Sequence, residues 1–170
     1  MHHQLDYGGH TVAGAGLLLW TALEPAALVP RTAPASVLDL VRAMRLLRQI
    51  DPRQWPGDGP REAAFNQREL ELLIDQGAQR TAVPLATRVG LQAGQARVQA
   101  SVSLAELMAS APGLLPPWLG TALAGHWVNV ELQLRETPGL PAIERLQVGR
   151  LPVPAVLAER LLRHQLEQQF

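Results

Sequence analysis

Side chains that can carry a proton, attack carbon or hold a metal are sparse in this chain, and few stand at useful spacings. His2, His3 and His10 gather near Asp6, a set that could ligate a metal. Such a set needs a rigid element to fix its geometry, and this stretch offers none. His126 opens a strand and His164 sits on a helix flank, neither at a spacing that suggests a nucleophilic triad. Glu131 and Glu144 can become neighbours on the polar face of two adjoining strands, as paired carboxylates must for general acid–base work. Arg97, Arg135 and Arg145 share that face, so solvated ion pairing, a weak stabiliser, is the competing account. Ser101 and Ser103 project from a strand's polar side and need no chemical role, and Tyr7 is the chain's only tyrosine. The absence of cysteine removes thiolate metal sites, disulfides and thiol nucleophiles. No nucleophile elbow, phosphate loop or zinc-binding helix motif occurs. The expectation is a non-catalytic protein with no cofactor and no metal site.

Charge excludes another class. Fifteen arginines, with no lysine, balance fifteen carboxylates in a chain of 170 residues. A zero net charge gives no broad footprint for nucleic acid, and none is expected as a partner. The length suits one sizeable core.

The elements that position these groups follow from periodicity. Trp127–Arg135 (WVNVELQLR) alternates strictly, with Val128, Val130, Leu132 and Leu134 on one side and Trp127, Asn129, Glu131, Gln133 and Arg135 on the other. Ala96–Leu104 repeats the pattern, and period two means a sheet with one apolar face. Thr87–Gln92 adds a strand, turned by Ala93-Gly94, and a last strand runs to Gly149 with a bulge near Arg145 where alternation breaks. Leu151–Pro154 ends the sheet and launches a helix. Ser36 with Asp39, and Asn66 with Glu69, form capping boxes, and Phe65 with Leu70 forms a hydrophobic staple. The first helix carries an apolar stripe of Val37, Leu40, Val41, Met44 and Leu47 with Arg42, Arg45 and Gln49 opposite. The second carries a narrow seam of Leu70, Leu73, Ile74 and Gly77-Ala78. The predicted fold is α+β: a four-stranded antiparallel meander, its apolar face covered by helices 36–50, 67–80 and 155–168.

The N-terminal region is predicted to stand apart, with residues 1–34 an apolar segment and linker and 35–170 a single domain. Thr11–Leu23 is uncharged and mostly apolar, and Glu24-Pro25 interrupts it before Val29. Thirteen residues fall short of the roughly 20 that span a bilayer, although counting on to Val29 reaches that length. A signal-anchor, a secretory signal with Ala33–Ala35 as its cleavage site and a buried helix of the domain compete for this segment, and membrane association is preferred. Arg42, Arg45 and Arg48 make a basic helix flank, solvated or turned toward anionic head groups.

Between two strands lies an apolar insertion, Leu114, Leu115, Pro116, Pro117, Trp118 and Leu119, preceded by a short helix and followed by another from about Pro117 to Ala124. Connections normally run polar over the surface, so this one is either a lid on the core or a contact surface for lipid or a partner. Phe65–Ile74 (FNQRELELLI), the strand series and Val148–Pro154 (VGRLPVP), together with the N-terminal apolar segment, resemble the YpmS-like family of membrane-anchored extracytoplasmic domains over about Phe65 to Leu162. The insertion after Leu104 departs from that pattern. The resemblance implies a non-catalytic domain facing outward from a membrane and cradling lipid.

The leading expectation is therefore a membrane-anchored binding or scaffolding domain of a bacterial envelope, held at the inner membrane and facing the periplasm. Its ligand would be lipid or another apolar molecule near Val98, Val102, Val130 and Leu132, with Leu114, Leu115, Trp118 and Leu119 beside it; the same residues could simply fill the core. An envelope protein is a second kind of partner. The alternative is a soluble interaction module that binds a protein through 114–119 or adds a strand at a sheet edge.

Overall fold

The computed structural model describes residues 17–31, 36–50, 65–80, 83–113, 115–138 and 141–169. In chain order the elements are β1 (Leu23–Glu24), α1 (Val37–Ile50), α2 (Gln67–Arg80), β2 (Ala86–Gln92), β3 (Gln95–Ser103), α3 (Leu104–Ser110), α4 (Pro117–Leu123), β4 (Trp127–Arg135), β5 (Ala142–Val148), β6 (Leu151–Val153) and α5 (Ala155–Gln169). The fold is α+β with an antiparallel sheet, but the sheet has six strands rather than four. Strands β2 to β6 form a meander, and β1 pairs with β4.

Both additional strands are short. Beyond Gly149 and Arg150 the chain reverses so that Leu151 pairs with Val148 and Val153 with Leu146. Leu151–Val153 thus continues the sheet instead of only ending it. Pro152 is tolerated because β6 is an edge strand, where a missing N–H costs no ladder bond. Strand β1 sets Leu23 opposite Val128 and Glu24 opposite Trp127, on the side of β4 that β5 borders farther along.

Alternation gives the two faces. Val98 lies opposite Leu132, Ala100 opposite Val130 and Val102 opposite Val128. Val130 and Leu132 lie in turn opposite Val148 and Leu146. The register between β4 and β5 slips where Gln133 faces Arg145 and Leu134 faces Ile143, leaving Glu144 as the extra residue of a bulge. The β2–β3 hairpin closes at Gln92 and Gln95 around Ala93-Gly94, with Gly94 at φ 70°, the left-handed geometry a two-residue turn needs.

Local caps set the helix starts. Ser36 N–H donates to Asp39 Oδ2 at 3.0 Å and Asp39 N–H to Ser36 Oγ at 3.2 Å. Asn66 N–H donates to Glu69 Oε2, and Glu69 N–H to Asn66 Oδ1, both at 2.9 Å. These bonds hold both carboxyls below the usual carboxylate range: backbone donation from Ser36 does so for Asp39, and backbone donation from Asn66 followed by Arg42 for Glu69.

Helix α2 lies along the edge strand β2. Val89 N–H donates to Glu71 Oε1 at 3.0 Å, and Val89 C=O accepts from Gln67 Nε2 at 2.9 Å. Thr87 Oγ1 donates to Asp75 Oδ1 at 2.5 Å. Side chains therefore stand in for a missing neighbour strand and close that edge to other chains. The residues buried from α2 are Leu72 and Ala78, whereas Leu70, Leu73 and Ile74 of the predicted seam are only partly buried.

Helix α1 departs further from expectation. It packs on α2 rather than along the sheet, through Ala43 and Leu46, and is tied there by Arg42–Glu69 (2.7 Å) and Arg68–Asp39 (3.6 Å). Of its predicted core stripe, Val37, Leu40, Val41 and Met44 face outward, at 77%, 36%, 52% and 53% exposed. Small Ala43 permits close approach to α2, and the two ion pairs border that contact. Helix α5 packs against β5 and buries Ala158.

Candidate functional site

The end of the sheet where β1 joins is sealed on both faces. On the apolar side Leu23, Leu104 and Leu123 form a buried cluster, with Leu19, Leu107, Leu115, Leu119 and Val128 packed against it. The apolar insertion thus acts here as a lid: Leu115 and Leu119 contribute to this cluster, while Trp118 stays 72% exposed. Leu114 lies outside the described residues. Val102, the cross-strand partner of Val128, is 6% exposed.

On the polar side, residues 24–29 form a strap across β3 and β4. Asn129, cross-strand partner of Ser101, uses its whole amide: Nδ2 donates to Glu24 Oε2 and, at 2.9 Å, to Ala26 C=O. Its Oδ1 accepts Leu28 N–H at 2.9 Å and Ser101 Oγ–H at 2.7 Å. Ser101 Oγ accepts Val29 N–H at 2.9 Å, and Val29 itself is 1% exposed. Arg31 then pairs with Glu106 of α3. Residues 21–29, which the sequence reading set before the domain, are packed against its sheet.

Gly149 completes that end. Its N–H donates to Asn129 C=O at 2.7 Å, the Arg150 N–H donates to Thr21 C=O at 3.0 Å, and a Cβ on Gly149 would strike the Ala22 carbonyl. With φ at 58°, Gly149 meets a steric and a conformational demand at once. His126 lies beside Trp20, ring centroids 6.0 Å apart, and its buried Nδ1 has no hydrogen-bond partner.

The rest of the apolar face is less closed. Helices α2 and α5 stand along β2 and β5, and between them Val98, Ala100, Val130, Leu132, Leu134, Leu146 and Val148 are only partly buried. Toward the β2–β3 turn this strip runs into a hollow of about 470 Å³ whose walls include Phe65, Leu70, Leu91, Ala96, Leu134 and Pro141, with Arg135 and Glu136 at its rim. That volume falls in the range of small-molecule sites. A larger depression of about 590 Å³ adjoins it at the turn, lined by Ala93, Gly94, Gln95, Arg135, Glu136, Thr137 and Pro138, with no large apolar side chain among them. The apolar hollow is the better candidate, because most of its lining is apolar, with Gln92 and Gln95 joining Arg135 and Glu136 as its polar groups.

The expected ligand positions are thus split. Val98, Val130 and Leu132 share the half-open strip, Val102 belongs to the sealed end, and Leu115 and Leu119 pack far from the hollow. Phe65, Leu70, Leu91, Ala96 and Leu134 were not singled out as a site. Their signal was present in the staple pair Phe65 and Leu70, which fastens the start of α2 over one end of the apolar face.

The two acids of the polar face hold different partners. Glu131 accepts from Gln99 Nε2 at 2.9 Å and Gln133 Nε2 at 3.1 Å, with Arg97 at 3.9 Å. The Gln99 bond, then Arg97, holds its carboxyl below the usual range. Glu144 on the bulge pairs with Arg135 instead. The two acids thus face different arginines, Arg97 and Arg135. Among the described residues no group of three His, Cys, Asp or Glu is placed to hold a metal, and His2, His3 and His10 lie outside them. Among those residues, too, no helix is long and apolar enough to cross a membrane. No protein family, curated protein or solved structure matches this chain.

Proposed function

We propose that this protein is a non-catalytic envelope domain, held at a membrane, that carries an acyl chain or similar apolar ligand along the open part of its sheet. One observation carries the reading: an apolar strip flanked by α2 and α5 stays half-buried and leads into a hollow of about 470 Å³ with mostly apolar walls. Filling such a strip removes apolar area from water at about 25 cal/mol per Å², so a chain laid along it gains stability without a charged partner. Arg135 and Glu136 at the mouth suit a polar head left in solvent. Membrane attachment through the N-terminal region draws support from Leu17, Leu18 and Trp20, which are 66%, 54% and 61% exposed. The inner membrane, with the domain on the periplasmic side, is the setting this reading favours.

Extraction of the purified protein followed by mass spectrometry tests the ligand. Lipid is expected to co-purify with the native chain and to be lost from Leu134→Glu. A native chain with no bound or exchangeable lipid overturns the reading. The 72% exposure of Trp118 favours the second reading, a protein-binding module at α4. Recovery without detergent, together with a partner lost on Trp118→Ala, would select it.

A further inference from the structure

Helix α1 carries an apolar row that stays exposed among the described residues. At 3.6 residues per turn Val37, Val41, Met44 and Arg48 fall within about 60° of one another, almost opposite the buried Ala43 and Leu46. Leu38, 81% exposed, widens the row. Arg45 and Arg48 are exposed beside it, and no acid among the described residues pairs with either. The helix has three arginines against one carboxylate, Asp39, which is occupied by the cap and by Arg68.

We infer that α1 lies in the plane of an anionic lipid surface, with Val37, Leu38, Val41 and Met44 entering the head-group boundary and Arg45 and Arg48 meeting the phosphates. Apolar residues on one side with guanidiniums beside them make an interfacial helix. Size argues against a protein occupant. A 14-residue helix is roughly 21 Å long and 10 Å wide, so its outward face offers about 200 Å². A stable partner needs about 800 Å² per side. A bilayer demands no matching shape, and the arginine excess selects one with negative charge. This deepens the membrane part of the reading above and is independent of the acyl strip.

The chain has no cysteine, so a single introduced thiol can report on one helix. The full chain with Leu38→Cys, labelled with a polarity-sensitive fluorophore, is titrated with vesicles of equimolar phosphatidylglycerol and phosphatidylcholine. The expected result is a blue shift and severalfold brightening that are absent on phosphatidylcholine alone. Adding R45Q and R48Q should weaken partitioning about thirty-fold, since each arginine near the surface is worth about five-fold. An unchanged response in that variant, or an equal response on neutral vesicles, overturns the inference. A second probe at Leu18→Cys separates it from membrane attachment in general. If Leu18 responds and Leu38 stays silent, attachment stands and α1 docking falls; if both stay silent, both fall. Two further results also overturn it. A Leu38 signal that grows with protein concentration in the absence of vesicles would mean a second copy covers the row. A large fall in melting temperature on Val41→Asp would mean the chain's own residues do.

Discussion

On one face of the sheet Ser101 and Asn129 are 1% and 4% exposed, whereas on the other Val98, Val130, Leu132 and Leu134 remain partly open. Hydropathy alone would order them the other way. The polar pair is sealed because Ser101 and Asn129 bond each other and residues 24–29 supply their remaining hydrogen-bond partners. The apolar residues lie between two helices that stand at the flanks. The polar end thus serves the fold, and the apolar strip is left for contact with something else. Substitutions on the two faces should then have opposite signatures: large stability losses at the polar end, and small losses with altered binding on the apolar strip.

The largest expected effect tests the polar end. Asn129→Ala strands the Leu28 N–H, the Ser101 hydroxyl and the Glu24 carboxylate together. Each unsatisfied buried group costs about 1–3 kcal/mol, so a destabilisation of about 4 kcal/mol is expected in urea unfolding. A change under 1 kcal/mol would show that residues 24–29 do not hold the sheet. Gly149→Ala comes next. It forces a side chain into the Ala22 carbonyl at a positive φ, for about 3 kcal/mol and a lower melting temperature. Near-native stability would mean the 21–22 segment is not seated on that turn.

How far these two ends could be read from sequence differs for a physical reason. Helices α1, α2 and α5 begin and end within a residue or two of expectation because capping and proline are local. The bulge at Glu144 was legible in the break of alternation between Ile143 and Leu146. The strap was not, because Glu24 and Leu28 find Asn129 across more than 100 residues, and EPAALV neither alternates nor follows a helical period. A clue lay in Glu24 itself: one acid in an apolar run must find a partner if it is buried. The outward face of α1 was hidden for another reason. Amphipathicity predicts that one side of a helix is buried, and here the smaller apolar side, Ala43 and Leu46, is turned inward, bordered by Arg42–Glu69 and Arg68–Asp39. The apolar strip followed from alternation, but the hollow beside it depends on where α2 lands along β2.

Leu132→Ala sharpens the other half of the comparison. A fully buried leucine truncated to alanine costs about 2–5 kcal/mol, whereas Leu132 is partly open and should cost about 1 kcal/mol. Leu23→Ala, at a position only 3% exposed, supplies the buried reference and should cost about 3 kcal/mol. If both variants lose the same stability, the strip is ordinary core. If Leu132→Ala keeps its stability and loses co-purifying lipid, the division between the faces stands.

The smallest effect concerns acid. Glu131 sits on the polar face beyond the strap, where Gln99, Arg97 and Gln133 favour its ionised form and lower its native pKa. Near pH 4 the unfolded chain therefore binds more protons at this group than the folded chain does, and stability rises with pH there. The contribution is complete above the ordinary glutamate value of about 4.3 and is lost as pH falls through the lowered native one. Because Asp39 and Glu69 are lowered as well, the native melting curve alone cannot isolate Glu131. Glu131→Gln keeps the side-chain size and removes the titration, so melting temperatures of the two proteins should converge as pH drops from 6 to 3. Parallel curves would mean that Gln99 and Arg97 do not favour the carboxylate over the protonated acid. The exposed part of the polar face would then be solvated surface, and the contrast would narrow to the few residues beneath the strap.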